Sequence, residues 1–290
     1  MSEAPLTESQ IAEVLALAEA ATAADGAGAL SEHALLRLRN GGHGLVITDG
    51  GDRDAAGIVA YAHLDPATAE ESAAAELVVH PGHRGRGYGR ALLRTVRERA
   101  AGPLRVWAHG DLPAAAKLAE SEGLRRVRAL YQMRRPAADP LPETEVADGV
   151  RLRTFVPGQD EAAWLRVNGR AFADHPEQGA WTLDDVRQRE AESWFDPSGF
   201  FLAENDRGLA GFHWTKIHPD GLGEVYVVGV DPDAQGLGLG RTLTLAGLHH
   251  LRDRGVPAIL LYVDESNTAA VRLYESLGFT RHTVDVMYGT

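Results

Sequence analysis

Asp231-Pro232-Asp233-Ala234-Gln235-Gly236-Leu237-Gly238-Leu239-Gly240-Arg241 follows directly on Val225-Tyr226-Val227-Val228-Gly229-Val230. The valine-rich run predicts a strand, Asp-Pro predicts a turn, and the glycines predict a loop that opens a helix. The first N–H groups of such a helix have no partner within it. Together with the helix dipole they make an anion cradle, and glycine lets the backbone come close to a phosphate. The same arrangement occurs earlier, as Leu77-Val78-Val79, Pro81 and Arg84-Gly85-Arg86-Gly87-Tyr88-Gly89-Arg90. A constant offset of 151 residues relates Pro81 to Pro232, Arg84 to Gln235 and Gly87 to Gly238. One such loop could be a strand–helix turn without a ligand; two in fixed register favour a duplicated phosphate-cradling α/β unit. A dinucleotide fingerprint fits less well, because its glycines follow the strand directly and an acid follows about 20 residues on.

The length of 290 residues suits two domains of about 145 residues each. The organisation read from it is a first domain over 1–138, a linker over 139–148 and a second domain over 149–290. Pro136, Pro140 and Pro142 with Glu143, Glu145 and Asp148 mark the linker, which has no apolar periodicity. In the second half, strands are expected at 150–155, 199–204, 208–218, 223–230, 258–263 and 279–287. Helices are expected near 159–172, 182–192, 239–253 and 267–277. In the first half the pattern repeats with helices at 89–100 and 114–121 and a strand around Val106-Trp107-Ala108. Thr7-Glu8-Ser9-Gln10 fits a capping box opening an earlier helix. The fold class is α/β, a mixed sheet with helices on both faces.

The net charge of −12 argues against nucleic acid and anionic membranes as partners. There are no cysteines, so disulfides and thiolate metal sites are excluded. The 12 histidines show no local ligand spacing, and no metal is expected. His249-His250 point in different directions and suit packing better than ligation. No signal peptide and no apolar run near ~18 residues is visible, so the cytoplasm is the expected location and a monomer the expected state. Arg86, Arg90 and Arg241 are expected to make the field at the cradles positive. Lysine is scarce, with only Lys117 and Lys216 in the chain.

The spacings Arg84-x-x-Gly87-x-Gly89 and Gln235-x-x-Gly238-x-Gly240 resemble the pyrophosphate loop of the GNAT acetyltransferases, and the element order is similar to that fold over nearly the whole chain. The resemblance implies two tandem GNAT-like acetyltransferase domains with acetyl-CoA as co-substrate. It implies contacts to CoA from Leu77, Val78, Val79, Arg84, Gly85, Arg86, Gly87, Tyr88 and Gly89 in the first half. In the second half it implies Val228, Gly229, Val230, Gln235, Gly236, Leu237, Gly238, Leu239, Gly240 and Arg241, then Asn267, Thr268, Ala269, Ala270, Val271 and Arg272. Asn267 is also expected to cap the last helix.

Acetyl transfer to an amine needs a neutral amine, a donor for the oxyanion and a proton for the departing thiolate. Period-2 alternation places Glu224 on one face with Tyr226, Val228 and Val230. A lone carboxylate among apolar neighbours would be a suitable base, although a solvated strand-end acid is the competing reading. Tyr274 is either a core tyrosine or, as the family resemblance implies, the acid. The first half has Ala73 and Ala119 at the corresponding positions, so catalysis is expected in the second half while the first is silent and able to bind CoA. His213-Trp214-Thr215-Lys216, Leu260-Leu261-Tyr262-Val263 and His175-Pro176-Glu177-Gln178-Gly179 narrow the resemblance to tandem members of the family that acetylate the cysteinyl amine of cysteinyl-glucosaminyl-inositol. It implies Glu32, Glu177, Lys216, Glu224 and Tyr262 as ligands of that small-molecule amine. An enzyme acting on an aminoglycoside or polyamine, or a non-catalytic acetyl-CoA sensor, are the alternatives.

Overall fold

The computed structural model describes residues 5–49, 57–68, 72–173 and 175–290, with the backbone alone for Pro176 and Glu177. The chain divides into two compact units, Met1–Tyr131 with Thr283–Thr290, and Gln132–His282. The C-terminal segment therefore groups with the first unit and not with the half of the chain that precedes it.

In the first unit α1 (Glu8–Asp25) and α2 (Glu32–Gly41) come first, followed by β1 (Leu45–Thr48), β2 (Ile58–Asp65), β3 (Ala73–Val79), α3 (Tyr88–Ala100), β4 (Leu104–Ala108) and α4 (Pro113–Ser121). The expected capping box at Thr7 and Gln10 starts α1, and Ser31 caps α2 through a bond from Ala34 N–H. The strand order is β1-β2-β3-β4, and β11 (Thr280–Gly289), the last strand of the chain, lies next to β4. The β1–β2 and β2–β3 pairs are antiparallel, β3–β4 is parallel, and β4–β11 is antiparallel with Val286 opposite Ala108. Leu92, Leu93 and Val96 of α3 pack on one face of this sheet with Ala73, Ala75 and Val286. On the other face Val14 and Leu17 of α1 and Leu38 of α2 pack on Tyr61 and Val78.

β5 (Arg125–Pro136) begins in the first unit and ends in the second. Regular structure resumes after Pro136 with β6 (Arg151–Thr154), α5 (Glu161–Ala171), α6 (Pro176–Gly179) and α7 (Leu183–Glu190). β7 (Phe200–Asn205), β8 (Gly208–Ile217), β9 (Gly223–Val230), α8 (Leu239–Asp253), β10 (Ala258–Asp264) and α9 (Thr268–Ser276) complete the second unit. Its order is β6-β7-β8-β9-β10, antiparallel except for the β9–β10 pair. Trp164 and Val167 of α5 pack on one face with Phe200, Phe212, Trp214 and Val227. Leu239 and Leu243 of α8 pack on the other with Val228 and Val230. Each unit is thus a mixed sheet covered by helices on both faces.

Candidate active site

Both glycine loops have the same backbone. His80 and Asp231 cap short turns at Pro81–His83 and Pro232–Ala234, and Arg84 and Gln235 are extended. Then φ is positive at Gly85 (74°) and Gly87 (89°), and at Gly236 (84°) and Gly238 (73°). Side chains on L-residues strain in that region, which explains the glycines. Gly87 and Gly238 are the N-caps of α3 and α8, and neither helix has a side-chain cap. The first intrahelical bonds run from Ala91 N to Gly87 O (3.0 Å) and from Thr242 N to Gly238 O (3.1 Å). The N–H groups of residues 88–90 and 239–241 therefore have no acceptor within their helices, and the positive end of each dipole suits an anion.

The arginines are less free than the sequence suggested. Arg84 makes two 2.7 Å bonds to the Asp25 carboxylate and one of 3.2 Å to Val79 O, tying its loop to α1 and β3. Arg90 lies 2.9 Å from Glu122, and Arg86 reaches Gly82 O at 3.3 Å and Asp49 at 3.9 Å. Arg241 donates to the Ser276 hydroxyl (3.3 Å) and has no acid partner among the described residues. The expected positive field is thus largely neutralised at the first cradle, while the second keeps an arginine without a counter-charge.

The parallel strands part before they reach the loops. β9 pairs with β10 from Gly223–Ile259 to Val225–Leu261, and β3 pairs with β4 from Ala73–Leu104 to Glu76–Trp107. Beyond these pairs, Tyr226–Val230 and Leu77–Val79 leave one backbone edge unpaired among the described residues. Such an edge presents N–H and C=O groups to an extended ligand, as an added strand would use them. The residues expected to line the pantetheine arm, Leu77, Val78, Val79, Val228, Gly229 and Val230, lie on these two edges. Asn267 caps α9 as expected, its side-chain oxygen accepting from Ala270 N at 3.1 Å.

Glu224 shares a face with Tyr226, as period-2 alternation predicts, but not with Val228 and Val230. Trp214 pairs with Val227 but Thr215 pairs with Val225, so Tyr226 is an extra residue in β9, a β-bulge. Cross-strand partners share a face. Glu224 therefore lies beside Lys216 on the α5 side, whereas Val228 and Val230 pack under α8. Nor is Glu224 a lone carboxylate among apolar groups. It is only 6% exposed, and its Oε2 lies 2.7 Å from His218 Nε2. The β8–β9 turn makes this contact: His218 N donates to Leu222 O (2.8 Å), Gly221 N donates to His218 O (2.9 Å), and Gly221 takes φ 85°. His218 was missed in the sequence, although Pro219-Asp220-Gly221 between two apolar runs is a hairpin signal that folds position 218 back over β9.

Lys216 is buried. It is 7% exposed, with Nζ 4.6 Å from the Trp194 ring centre and 5.1 Å from that of Tyr226, within the range of cation–π attraction. Tyr226 in turn accepts from Arg189 Nε at 2.8 Å. Tyr262 stands two residues beyond Leu260, the register partner of Glu224, and so shares its face. It is exposed, and its hydroxyl accepts from Gln132 Nε2 at 2.7 Å. The fold therefore brings Lys216, His218, Glu224 and Tyr262 together. Tyr274 is buried on α9 against Phe279, ring centres 5.9 Å apart, and burial pushes its hydroxyl up to about 12. Glu177 falls in α6, and its side chain is outside the described residues. Glu32 is the first residue of α2 in the first unit, where an acid suits the helix dipole.

At the position of Tyr274 the first unit has a buried alanine, Ala119. The bulge of β9 has no counterpart in β3, so the constant offset fails before it: Glu224, opposite Leu260, corresponds to the half-buried Ala74, opposite Arg105, and Ala73 corresponds to Gly223. The first unit holds another ionisable array that the sequence did not reveal. Glu76 accepts from Ser31 N (2.7 Å) and Oγ (2.5 Å), and His109 bridges it at 3.3 Å to Asp285 at 2.9 Å. Gly110 N also donates to Asp285 (3.0 Å). Burial opposes a charge on His109, but the bonds to Asp285 and Glu76 outweigh it and raise its pKa to about 10. With these partners in place, the array ties the C-terminal strand to β3 and β4 instead of offering a free base.

Comparison with known proteins agrees with a tandem fold. The acetyltransferase (GNAT) family description matches residues 167–279, and an acetyltransferase (GNAT) domain matches residues 40–132. The mycothiol acetyltransferase of Thermomonospora curvata is 69% identical over 98% of this chain and 94% of its own length. That of Thermobispora bispora is 59% identical over 95% and 94%. Among solved structures, a GCN5-related N-acetyltransferase from Sphaerobacter thermophilus has a TM-score of 0.73 at 25% identity, covering 99% of this chain and 94% of its own. A tandem GNAT protein of the clavulanic acid pathway has a TM-score of 0.69 at 21% identity, covering 99% and 97%, and shares the fold. No helix among the described residues is long and apolar enough to cross a membrane. With two cradles, two splayed strand pairs and relatives this similar over their full length, the chain belongs to the mycothiol acetyltransferase family of tandem GNAT acyltransferases.

Proposed function

We propose that the second unit transfers an acetyl group from acetyl-CoA to the cysteinyl amine of cysteinyl-glucosaminyl-inositol, giving mycothiol, and that the protein works as a monomer in the cytoplasm. The observation that carries this reading is Glu224, buried and held by His218 at 2.7 Å beside the bulge of β9, immediately before a glycine cradle.

Glu224 takes the proton that leaves the amine as its nitrogen attacks the thioester carbon. The unpaired backbone edge of Val228–Val230 orients the thioester, and the loop from Gln235 to Arg241 holds the pyrophosphate. As the carbon–sulfur bond breaks, Tyr274 supplies a proton to the thiolate. Its buried hydroxyl, at about 12, keeps that proton throughout the neutral range. Asn267 and the first turn of α9, Thr268 to Arg272, flank the pantetheine arm. Lys216 donates to sugar or inositol hydroxyls, Tyr262 offers a phenol, and Glu177 accepts from the substrate. Lys216 with a few carboxylates suits a polar sugar carrying one amine better than a polyamine, which calls for several acids. The first unit binds CoA at its own cradle without chemistry, because Ala74 and Ala119 stand where the base and acid would be.

A substrate panel with acetyl-CoA followed by mass spectrometry tests this. Cysteinyl-glucosaminyl-inositol should be preferred by kcat/KM over spermidine, an aminoglycoside and a peptide N-terminus. Preference for any of those three would overturn the substrate assignment. Tyr274→Phe should lower kcat by roughly 10²–10⁴-fold, the span of a lost acid.

A further inference from the structure

The first unit brings together two imidazoles and a carboxylate that the reaction does not use. His33 is the second residue of α2. His63 and Asp65 stand two apart near the end of β2, and so share a face. His33 Nε2 lies 3.1 Å from Asp65 Oδ1 and 3.1 Å from Oδ2, and His63 Nε2 lies 3.1 Å from Oδ2. One donor atom from each of the three residues falls within 4.8 Å of the others.

Both histidines converge on one carboxylate, His33 from the solvent side and His63 from the interior. His33 is hydrogen-bonded to Asp65. His63 is 5% exposed, and its Nε2 lies 3.1 Å from Oδ2 of the same carboxylate. Nitrogen–oxygen separations of 3.1 Å lie close to the edge of a tetrahedron, about 3.3 Å, that metal–ligand bonds of about 2.0–2.1 Å generate. His33 and Asp65 have half and a third of their side chains at solvent, so water can complete a coordination shell on that side.

We propose that His33, His63 and Asp65 bind one divalent transition-metal ion of the Zn²⁺ type, through two imidazole nitrogens and one carboxylate. Two nitrogens and a hard oxygen suit first-row transition ions and not Ca²⁺ or Mg²⁺, which prefer all-oxygen shells. The ion clamps the start of α2 to the end of β2, two elements that already share a core through Leu38 and Tyr61. Its effect is on the stability of the first unit, because the acid–base groups lie in the second.

The probe is Zn²⁺ alone, titrated into chelator-treated full-length protein against a competing dye, with thermal melting followed in parallel. One ion per chain is expected, with a raised melting temperature, since a ligand bound to the native state alone stabilises it. His33→Ala and Asp65→Asn alter partly exposed side chains, so the fold survives. Each should weaken binding by at least about tenfold and abolish the melting shift. Co²⁺ should give visible absorption bands in the wild type that are lost in both variants. Equal Zn²⁺ uptake by wild type and Asp65→Asn, or no uptake at micromolar free Zn²⁺, would overturn the proposal.

Discussion

His218→Ala tests whether the contact at Glu224 holds the base in place. The bond from His218 to Glu224 is 2.7 Å long and ends on a carboxylate that is only 6% exposed. A hydrogen bond to a charged group contributes about 1.5–3 kcal/mol. At about 1.36 kcal/mol per decade of rate, that is roughly 10- to 150-fold in kcat/KM if the whole contact serves to orient Glu224. The His218 side chain is 29% exposed. Water can enter the space it leaves, which draws the expectation towards the lower end, about 10- to 30-fold. The assay should follow loss of thioester absorbance, because the acceptor's own thiol interferes with thiol-reactive dyes. His218→Gln keeps a donor and should recover much of the loss. Glu224→Gln alone should cost about 10²–10⁴-fold. Once that carboxylate is gone His218 has nothing to orient, so the double variant should match Glu224→Gln alone and not the product of the two effects. Wild-type kcat/KM in folded His218→Ala, or strict additivity in the cycle, would refute the positioning role.

Gly238→Trp should abolish turnover, both by straining the positive φ at that position and by filling the second cradle, while Gly87→Trp in a folded protein should spare it; calorimetric titration of the wild type should find up to two CoA sites. Lys216→Ala should raise KM for the pseudodisaccharide several-fold and leave KM for acetyl-CoA nearly unchanged, which steady-state kinetics with each substrate varied will show. His109 has its pKa raised to about 10 by its carboxylate partners, so the stability it contributes is full below the unfolded value of about 6.5 and is lost as pH rises through about 10. The excess melting temperature of the wild type over His109→Gln should therefore shrink between those limits, and a constant difference would remove the ion pair as its cause.

Local chemistry made much of this protein legible in its sequence. The strand at 223–230 and the helix at 239–253 have the bounds expected of them, because a valine-rich run, an Asp-Pro turn and positive-φ glycines each act within a few residues. Duplication was visible for the same reason: Gly87 and Gly238 are required by backbone conformation wherever the loop is built, so their spacing survives. The cap at Asn267 and the capping box at Thr7 are likewise local hydrogen bonds.

Tertiary structure alone decided what depends on which strand lies beside which. The face of Glu224 turned on a bulge against β8, where one extra residue reverses every side chain before it. Its partner His218 became apparent only once the hairpin closed. Lys216 was marked by its local motif as a substrate ligand, but its seat against the rings of Trp194 and Tyr226 is set by packing alone. Alternation along 280–289 announces a strand but is silent about its sheet, and that strand pairs with β4 in the first unit. The histidines showed no ligand spacing because His33 and His63 are thirty residues apart in the chain, on a helix and a strand that the core packs together. Sequence period fixes what each segment is; side-chain neighbours from distant segments are set by packing and register, which no local pattern encodes.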